Sequence, residues 1–135
     1  MKRKMMYLAG FLLVLMLTGC ISRPQKTEKL RDLDFTVMDK EKVPNELKTA
    51  ILENRDLPFK LTYADQWYLY IAEGYGPQPK SGYSVEVTGL YETENAIYIH
   101  TNLLGPEKGE KTEEVTTYPY VVVKLEYIEK NVIFD

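Results

Sequence analysis

Side chains that could act as nucleophiles or bases are few in this chain and lie far apart. Ser81 and Ser84 are candidate nucleophiles, but neither lies in the GxSxG turn that exposes a catalytic serine. His100 is the only histidine, and no acidic residue is identifiable as a group that would orient its ring. One histidine and one cysteine cannot form a His/Cys metal cluster. The sequence therefore predicts a protein that is not an enzyme and that uses no metal and no cofactor.

Two further segments are better interpreted as loops than as chemical sites. Residues 74–82, GYGPQPKSG, are rich in glycine and proline but lack a GxxxxGK[ST] phosphate cradle, and no helical pattern follows them. We expect an ordered turn there. Residues 105–114 carry four glutamates in a charged segment rather than in the apolar pocket that a catalytic carboxyl needs. We expect a mobile, solvated loop.

The only cysteine, Cys20, closes an apolar run that follows three basic residues near the N terminus. Residues 5–17 are apolar apart from one glycine, which suits a secretory signal but falls short of the roughly 20 residues needed to span a bilayer. The string LTGC resembles the lipobox of bacterial lipoproteins, in which the cysteine sulfur receives a diacylglyceryl group. The resemblance implies a signal peptide over residues 1–19, a lipidated Cys20 carrying acyl chains such as palmitate, and an extracytoplasmic protein anchored to the cell membrane.

Charge limits the partners that the processed chain would have. Without residues 1–19 it keeps 14 of 17 basic residues and all 20 acidic ones, a net charge of about −6. Such an acidic chain is a poor candidate for binding nucleic acid. It would not be attracted to anionic headgroups either, so the lipid itself must provide the membrane contact.

Beyond Cys20 the sequence divides into a tether and one domain. Residues 20–33 are polar, contain Pro24 and have too few apolar side chains to pack, so we expect a lipidated cysteine followed by a flexible tether. The domain would then cover residues 34–135. In residues 44–56 the apolar spacing predicts a short amphipathic helix that packs on the core through Leu47 and Ile51.

The remainder of the domain alternates with the period of β-strands. The predicted strands cover residues 66–72, 82–92, 96–104 and 115–128, with a possible short strand at 131–135. Residues 66–72 are apolar on both faces, which indicates a strand covered on two sides. Pro119 is predicted to lie at a bulge or an edge, because it cannot donate a ladder hydrogen bond. The fold class is therefore mainly β: a small antiparallel sandwich or open barrel of five to six strands with one short N-terminal helix.

The topology also predicts where a binding surface would lie. If consecutive strands run antiparallel, residues 74–82 and residues 105–114 emerge from the same end of the sheet. Tyr75, Tyr83 and Tyr118 flank glycine or proline at these connections, whereas most other aromatic residues alternate within strands and suit a half-buried surface. We therefore expect this end to be the binding surface.

Two short motifs resemble the C-terminal domain of the PrcB family of protease-complex subunits. In that family a G-x-K-P-T-G-G-Y loop precedes a strand, which corresponds to residues 76–83, and a T-Y-P-Y segment opens a later strand, which corresponds to residues 117–120. A Pro-x-Glu-Leu helix start, here at residues 44–47, also resembles secreted members, so the resemblance covers roughly residues 43–134. This chain departs from the pattern at Lys80, which replaces the threonine, and at Ser81, which replaces the first glycine of the pair.

The resemblance implies a non-catalytic domain that binds or stabilises a surface or secreted protease. Its partner contact would use seven residues of the two loops: Tyr75, Gly76, Pro79, Gly82, Tyr83, Tyr118 and Pro119. Lys80 has no hydroxyl, so we expect no function here that depends on the hydroxyl of the family's loop threonine.

Two alternatives from other classes stay open at this point. The string from Pro79 to Tyr83 is similar to the N-P-T-T-G-Y/F loop of chagasin-type inhibitors of papain-like proteases, although Gln78 stands in place of the asparagine. The Arg-Pro-Trp loop of that group is missing, since the only tryptophan, Trp67, falls in a predicted strand. The second alternative is a structural or glycan-contacting envelope lipoprotein, which the 11 tyrosines of the chain would suit.

Overall fold

Two four-stranded sheets pack face to face in the computed structural model, which describes residues 28–135. Strands hold 49% of these residues and helices 12%, and the sheets do not close into a barrel. The predicted mainly β sandwich with one short helix is therefore confirmed. The strands are β1 Lys29–Asp32, β2 Thr36–Val37, β3 Pro58–Ala64, β4 Tyr68–Tyr75, β5 Ser84–Thr93, β6 Ala96–Leu104, β7 Tyr120–Glu126 and β8 Asn131–Phe134; a 3-10 helix covers Lys40–Lys42 and helix α1 covers Asn45–Asn54.

Sheet 1 has the strand order β1-β5-β6-β8, and sheet 2 has the order β2-β7-β4-β3. All neighbouring strands are antiparallel except β6 and β8, which run parallel. The chain closes sheet 1 with its last strand, and the backbone N–H of Asp135 donates to the carbonyl of Ile99 at 2.9 Å. Each sheet thus combines strands from both halves of the domain.

The main core lies between the two sheets. It contains alternate residues of the predicted strands, including Ile71, Ile97, Ile99 and Val123, all of them fully buried. Complete burial of one such side chain contributes about 1.5–3 kcal/mol. The alternation in the sequence therefore identified the inward faces of β4, β6 and β7.

A second core covers the outer face of sheet 2. Leu47 and Ile51 of α1 are 2% and 3% exposed, and they pack with Tyr70, Ala72 and Val122 from the even-numbered face of β4 and β7. Both predictions for this region are confirmed, namely the amphipathic helix and the strand that is covered on two sides. Phe59 of β3 belongs to the same core, and its ring lies where Gly74 of β4 has no side chain.

The strand count and several boundaries differ from the sequence predictions. Within residues 28–135, eight strands are present instead of five to six. The short strands β1 and β2 have no alternation of their own, and the alternation of Phe59, Leu61 and Tyr63 in β3 was not assigned to a strand. The tether was expected to reach residue 33, yet β1 pairs with β5 and Leu33 is buried. The last residues of the predicted tether are therefore part of sheet 1 and of the core. The predicted signal peptide, Cys20 and tether residues up to 27 lie outside the described residues.

Pro119 and Trp67 lie just before strands and not within the strands predicted for them. Pro119 precedes the central strand β7 instead of occupying a bulge or an edge, so its missing N–H removes no ladder bond. Its carbonyl accepts a hydrogen bond from the N–H of Tyr75 at 3.1 Å. Trp67 lies in the turn before β4 and is 71% exposed. The alternating sequence around each residue did not show at which residue the hydrogen bonds of β4 and of β7 begin.

A bulge in β5 changes which residues face the core. The register shifts between Val87 and Gly89, so that inward positions move from the odd-numbered Val85 and Val87 to the even-numbered Leu90 and Glu92. A simple alternation over residues 82–92 could not show this change of phase.

The bulge thereby buries a carboxylate, Glu92, which is 8% exposed. It accepts a hydrogen bond from Nε of Arg31 in β1 and another from Nζ of Lys130, each at 2.8 Å. Both hydrogen bonds lower the pKa of Glu92, and the bond from Lys130 has the larger effect. This cluster fixes β1 and the β7–β8 connection onto β5.

Candidate functional site

The connections β4–β5 and β6–β7 lie together at one end of the sandwich, which we call the loop end (residues 75–83 and 105–119). The antiparallel pairing of β5 with β6 and of β4 with β7 brings them together. The prediction that the two loops share one end is confirmed.

Hydrogen bonds join the two loops into one unit. Gln78 and Thr117 exchange backbone hydrogen bonds of 2.8 and 3.0 Å, which form an isolated antiparallel bridge. Further along, the N–H of Ser81 donates to the carbonyl of Glu113 at 3.0 Å, and the N–H of Glu113 donates to Oγ of Ser81 at 2.8 Å. The hydroxyl of Thr117 donates to the carbonyl of Lys80 at 2.8 Å. The second loop, expected to be mobile, is thus tied to the first.

Two glycines of the first loop have backbone conformations that other residues rarely adopt. Gly76 has a φ of 76° and Gly82 a φ of 95°. A Cβ on Gly82 would lie 2.8 Å from Cβ of Pro106, so the second loop packs against the side of this glycine where a side chain would be. The glycine at position 82 therefore permits both the turn and the contact between the loops.

The seven residues predicted to contact a partner divide into an exposed and a buried group. Pro79 and Gly82 are exposed, and Tyr83 and Tyr118 are half-buried, so these four reach the surface of the loop end. The other three, Tyr75, Gly76 and Pro119, mainly shape the loops: Gly76 and Pro119 are buried, and Tyr75 is half-buried.

Tyr75 connects the two sheets beneath the loop end. The Tyr75 hydroxyl lies 2.6 Å from Oγ1 of Thr101 in β6. The Thr101 hydroxyl in turn donates to Oε1 of Glu73 in β4 at 2.9 Å. Thr101 is 6% exposed, so this network replaces apolar packing in the interior next to the loops. It holds the base of the loop end in place.

The residues considered for catalysis do not come together. Ser81 bonds to the second loop, as described above, and Ser84 is exposed at the start of β5. Ser84 lies opposite Leu104, which is four residues beyond His100 in β6. At strand geometry Ser84 and His100 are therefore about 13 Å apart along the strand. Nδ1 of His100 contacts the carbonyl of Asp135 at 3.1 Å instead. Among residues 28–135, no group of three or more His, Cys, Asp or Glu could hold a metal ion.

The chain enters the domain at the end opposite to the loops. Lys29 pairs with Thr93, the last residue of β5, while the loop end begins at Ser84, the first. A strand of 10 residues spans about 30 Å. Trp67 also lies at this far end, since its carbonyl accepts a hydrogen bond from the N–H of Tyr127 just after β7. An aromatic loop beside residues 79–83, as the chagasin-type alternative would need, is therefore not formed by Trp67.

The segment from β4 to β7 contains both loops and the two motifs on which the resemblance rests. Residues 69–126 match the family model described as PrcB C-terminal. The resemblance to the PrcB C-terminal domain is thus confirmed over this segment, which is shorter than the expected 43–134 and does not include α1. No curated protein and no solved structure matches the chain.

The PrcB C-terminal family is itself an accessory domain associated with a protease complex. The matched segment carries the loop end together with its supporting strands β4, β5, β6 and β7. Across residues 28–135, no helix is long and apolar enough to cross a membrane.

Sequence reasoning missed the cationic side chains that accompany Tyr118. The guanidinium of Arg55, just after α1, lies 4.2 Å from the centre of the Tyr118 ring. Lys48 and Arg55 are seven residues apart, a helical spacing that places them on one face. That spacing was a usable signal, but only the fold brings this face against residues 117–120.

Proposed function

We propose that this protein is an extracytoplasmic lipoprotein whose folded domain is a non-catalytic binding module for an envelope protease. The contact would use the exposed part of the loop end, Pro79, Gly82, Tyr83 and Tyr118. The family supports association with a protease complex, and the loop end supports the choice of surface.

The observation that carries this assignment is the order of the loop end. Two loops joined by a backbone bridge and three further hydrogen bonds present proline, glycine and tyrosine to solvent. Binding to an ordered surface loses little conformational entropy, which favours recognition of a protein partner. Aromatic side chains that are partly exposed are also typical of contact residues in protein interfaces.

The position of the loop end relative to the tether also supports the proposal. A chain anchored through Cys20 would enter the domain at the far end, so the loops would lie about 30 Å from the point of attachment at strand geometry. They would then face the extracytoplasmic space. A shared membrane raises the local concentration of an anchored partner and can compensate for modest affinity.

Affinity capture from envelope extracts tests the binding surface. We expect a double variant, Pro79→Ala with Tyr83→Ala, to lose the captured protease, while Trp67→Ala retains it. Trp67 is a matched control because it is an exposed aromatic residue at the opposite end of the domain. Recovery of the protease by the loop variant at the level of the parent protein would refute the assigned surface.

The anchor is tested separately by replacing its acceptor. In a Cys20→Ser variant, we expect incorporation of labelled palmitate to disappear and the protein to leave the membrane fraction. Thr18→Ser, which keeps a small residue before the cysteine, serves as the control. Equal labelling of the Cys20→Ser variant would refute lipidation at this residue and leave the loop-end contact to be judged by the capture experiment.

A further inference from the structure

A groove of about 410 Å³ lies between α1 and the segment that leads into β7. Its apolar lining consists of Ile51 and Leu52 on the helix and the rings of Tyr118 and Tyr120 on the other side. Leu52 is 63% exposed, so the groove is open to solvent. It borders the loop end because Tyr118 belongs to both. An exposed leucine between two tyrosines is the kind of apolar surface that a partner covers.

Three cations stand around this groove, namely Lys40, Lys48 and Arg55. Nζ of Lys40 lies 4.2 Å from the centre of the Tyr120 ring, and Nζ of Lys48 donates to the carbonyl of Glu41 at 2.8 Å. Within residues 28–135, none of the three forms an ion pair with a carboxylate, and no acidic residue lines the groove. The chain as a whole has more acidic than basic residues, so this is a local positive site on an acidic protein.

The cations are also held in place. Arg55 lies over the Tyr118 ring and Lys40 over the Tyr120 ring, and such cation–π contacts orient a charge without neutralising it. Burial removes part of the hydration of Lys40 and thereby lowers its pKa. A carboxylate that enters the groove therefore meets oriented, unpaired cations.

The combination of an apolar lining and cations at its edge selects among possible ligands. A small anion would use the cations but not the apolar lining, and an apolar ligand would use the lining alone. A peptide with carboxylates on either side of an apolar residue uses both. We infer that the groove binds an acidic, extended peptide segment of the partner protein, with an apolar side chain against Leu52 and carboxylates facing Lys48 and Arg55. This inference rests on the proposed function and specifies the partner's chemistry.

A fluorescence anisotropy titration tests the groove with a defined probe. The probe is a fluorescein-labelled peptide of about ten residues in which glutamates flank a central Leu-Phe pair, and its counterpart carries glutamine in place of every glutamate. The full chain is used in non-ionic detergent micelles. The groove variant is Lys48→Gln with Arg55→Gln, and the control variant is Lys29→Gln with Lys60→Gln, which removes the same charge from exposed positions outside the groove and the loop end.

Each partly exposed charge contact is worth about threefold in affinity, so we expect the groove variant to bind the acidic peptide about tenfold more weakly. The control variant should bind like the parent, and the glutamine peptide should bind the parent about tenfold more weakly than the acidic one. Equal binding by the groove and control variants would overturn the location, and equal binding of both peptides would overturn the charge selectivity. Thermal unfolding of each variant verifies that the fold is kept.

Capture from envelope extracts separates this inference from the proposed function. Loss of the protease by both the loop variant and the groove variant, with retention by the control, supports both. Retention by the groove variant and loss by the loop variant would refute the groove while leaving the loop-end contact intact. Capture of no protease by the parent protein would refute the proposed function, and the peptide titration would then decide whether the groove binds acidic segments at all.

Discussion

Replacing Gly82 with alanine tests whether the loop end is one rigid unit. Gly82 has a φ of 95°, and an added Cβ would meet Cβ of Pro106 at 2.8 Å. The backbone term is about 1–2 kcal/mol for an alanine at positive φ. The steric term falls in the overpacking range of about 1–3 kcal/mol. We therefore expect Gly82→Ala to destabilise the loop end by about 2–5 kcal/mol, and the second loop to move away from the first.

Gly109 supplies a matched control in the second loop. Its φ is 88°, but an added Cβ would have no atom within 4 Å. Gly109→Ala therefore carries the backbone term alone, about 1–2 kcal/mol. The difference between the two variants measures the contact between the loops.

Native-state hydrogen exchange is the assay that resolves this difference. The relevant amides are those that donate between the loops, on Gln78, Ser81, Glu113 and Thr117. In Gly82→Ala we expect these amides to exchange at least about fivefold faster than in Gly109→Ala, which corresponds to about 1 kcal/mol of local opening free energy. Equal protection in the two variants would refute the view that packing over Gly82 holds the loops together.

Three further predictions concern the scaffold beneath this end. Gly74→Ala should lower the free energy of unfolding in urea by about 1–3 kcal/mol, because the new Cβ would overlap the ring of Phe59. Tyr75→Phe should cost about 0.5–1.5 kcal/mol in the same assay through loss of the hydrogen bond to Thr101. Lys130 and Arg31 lower the pKa of Glu92 in the folded protein. The stability that the ionised Glu92 contributes is therefore fully present above the ordinary carboxyl pKa of about 4.3, and it is lost as the pH falls through the lower pKa of the folded state. In a pH series of thermal unfolding, the stability of Glu92→Gln should therefore fall less steeply toward acid pH than that of the parent protein. An equally steep fall would contradict the role of Glu92. Unchanged stability of Gly74→Ala or Tyr75→Phe would contradict the contact assigned to that residue.

Much of the framework could be predicted from local patterns. Alternation located β4, β6 and β7 and their inward faces, because the side chains of a strand point alternately to its two sides. Helical spacing identified Leu47 and Ile51 as the buried face of α1. Antiparallel order was enough to place both loops at one end. In each case the information lies in neighbouring residues of the sequence.

Other features depend on pairing partners distant in sequence. The short strands β1 and β2 exist because β5 and β7 offer open edges, and their own residues are exposed and show no alternation. The bulge near Gly89 shifted the register of β5 and thereby brought Glu92 inward. The short strands leave no signal within their own segments, and Gly89 marks the position of a bulge without showing that Glu92 would be paired and buried.

The same division applies to the candidate site. The sequence by itself determined the motifs of residues 76–83 and 117–120, and with them the resemblance and the expected role. It also determined that their glycines and prolines lie at one end of a β-domain. Only the tertiary structure decided that Tyr75, Gly76 and Pro119 shape the loops while Pro79 and Gly82 reach the surface. It alone brought Lys48 and Arg55 of the helix against residues 117–120, because packing of α1 on the outer face of sheet 2 joins segments more than 60 residues apart.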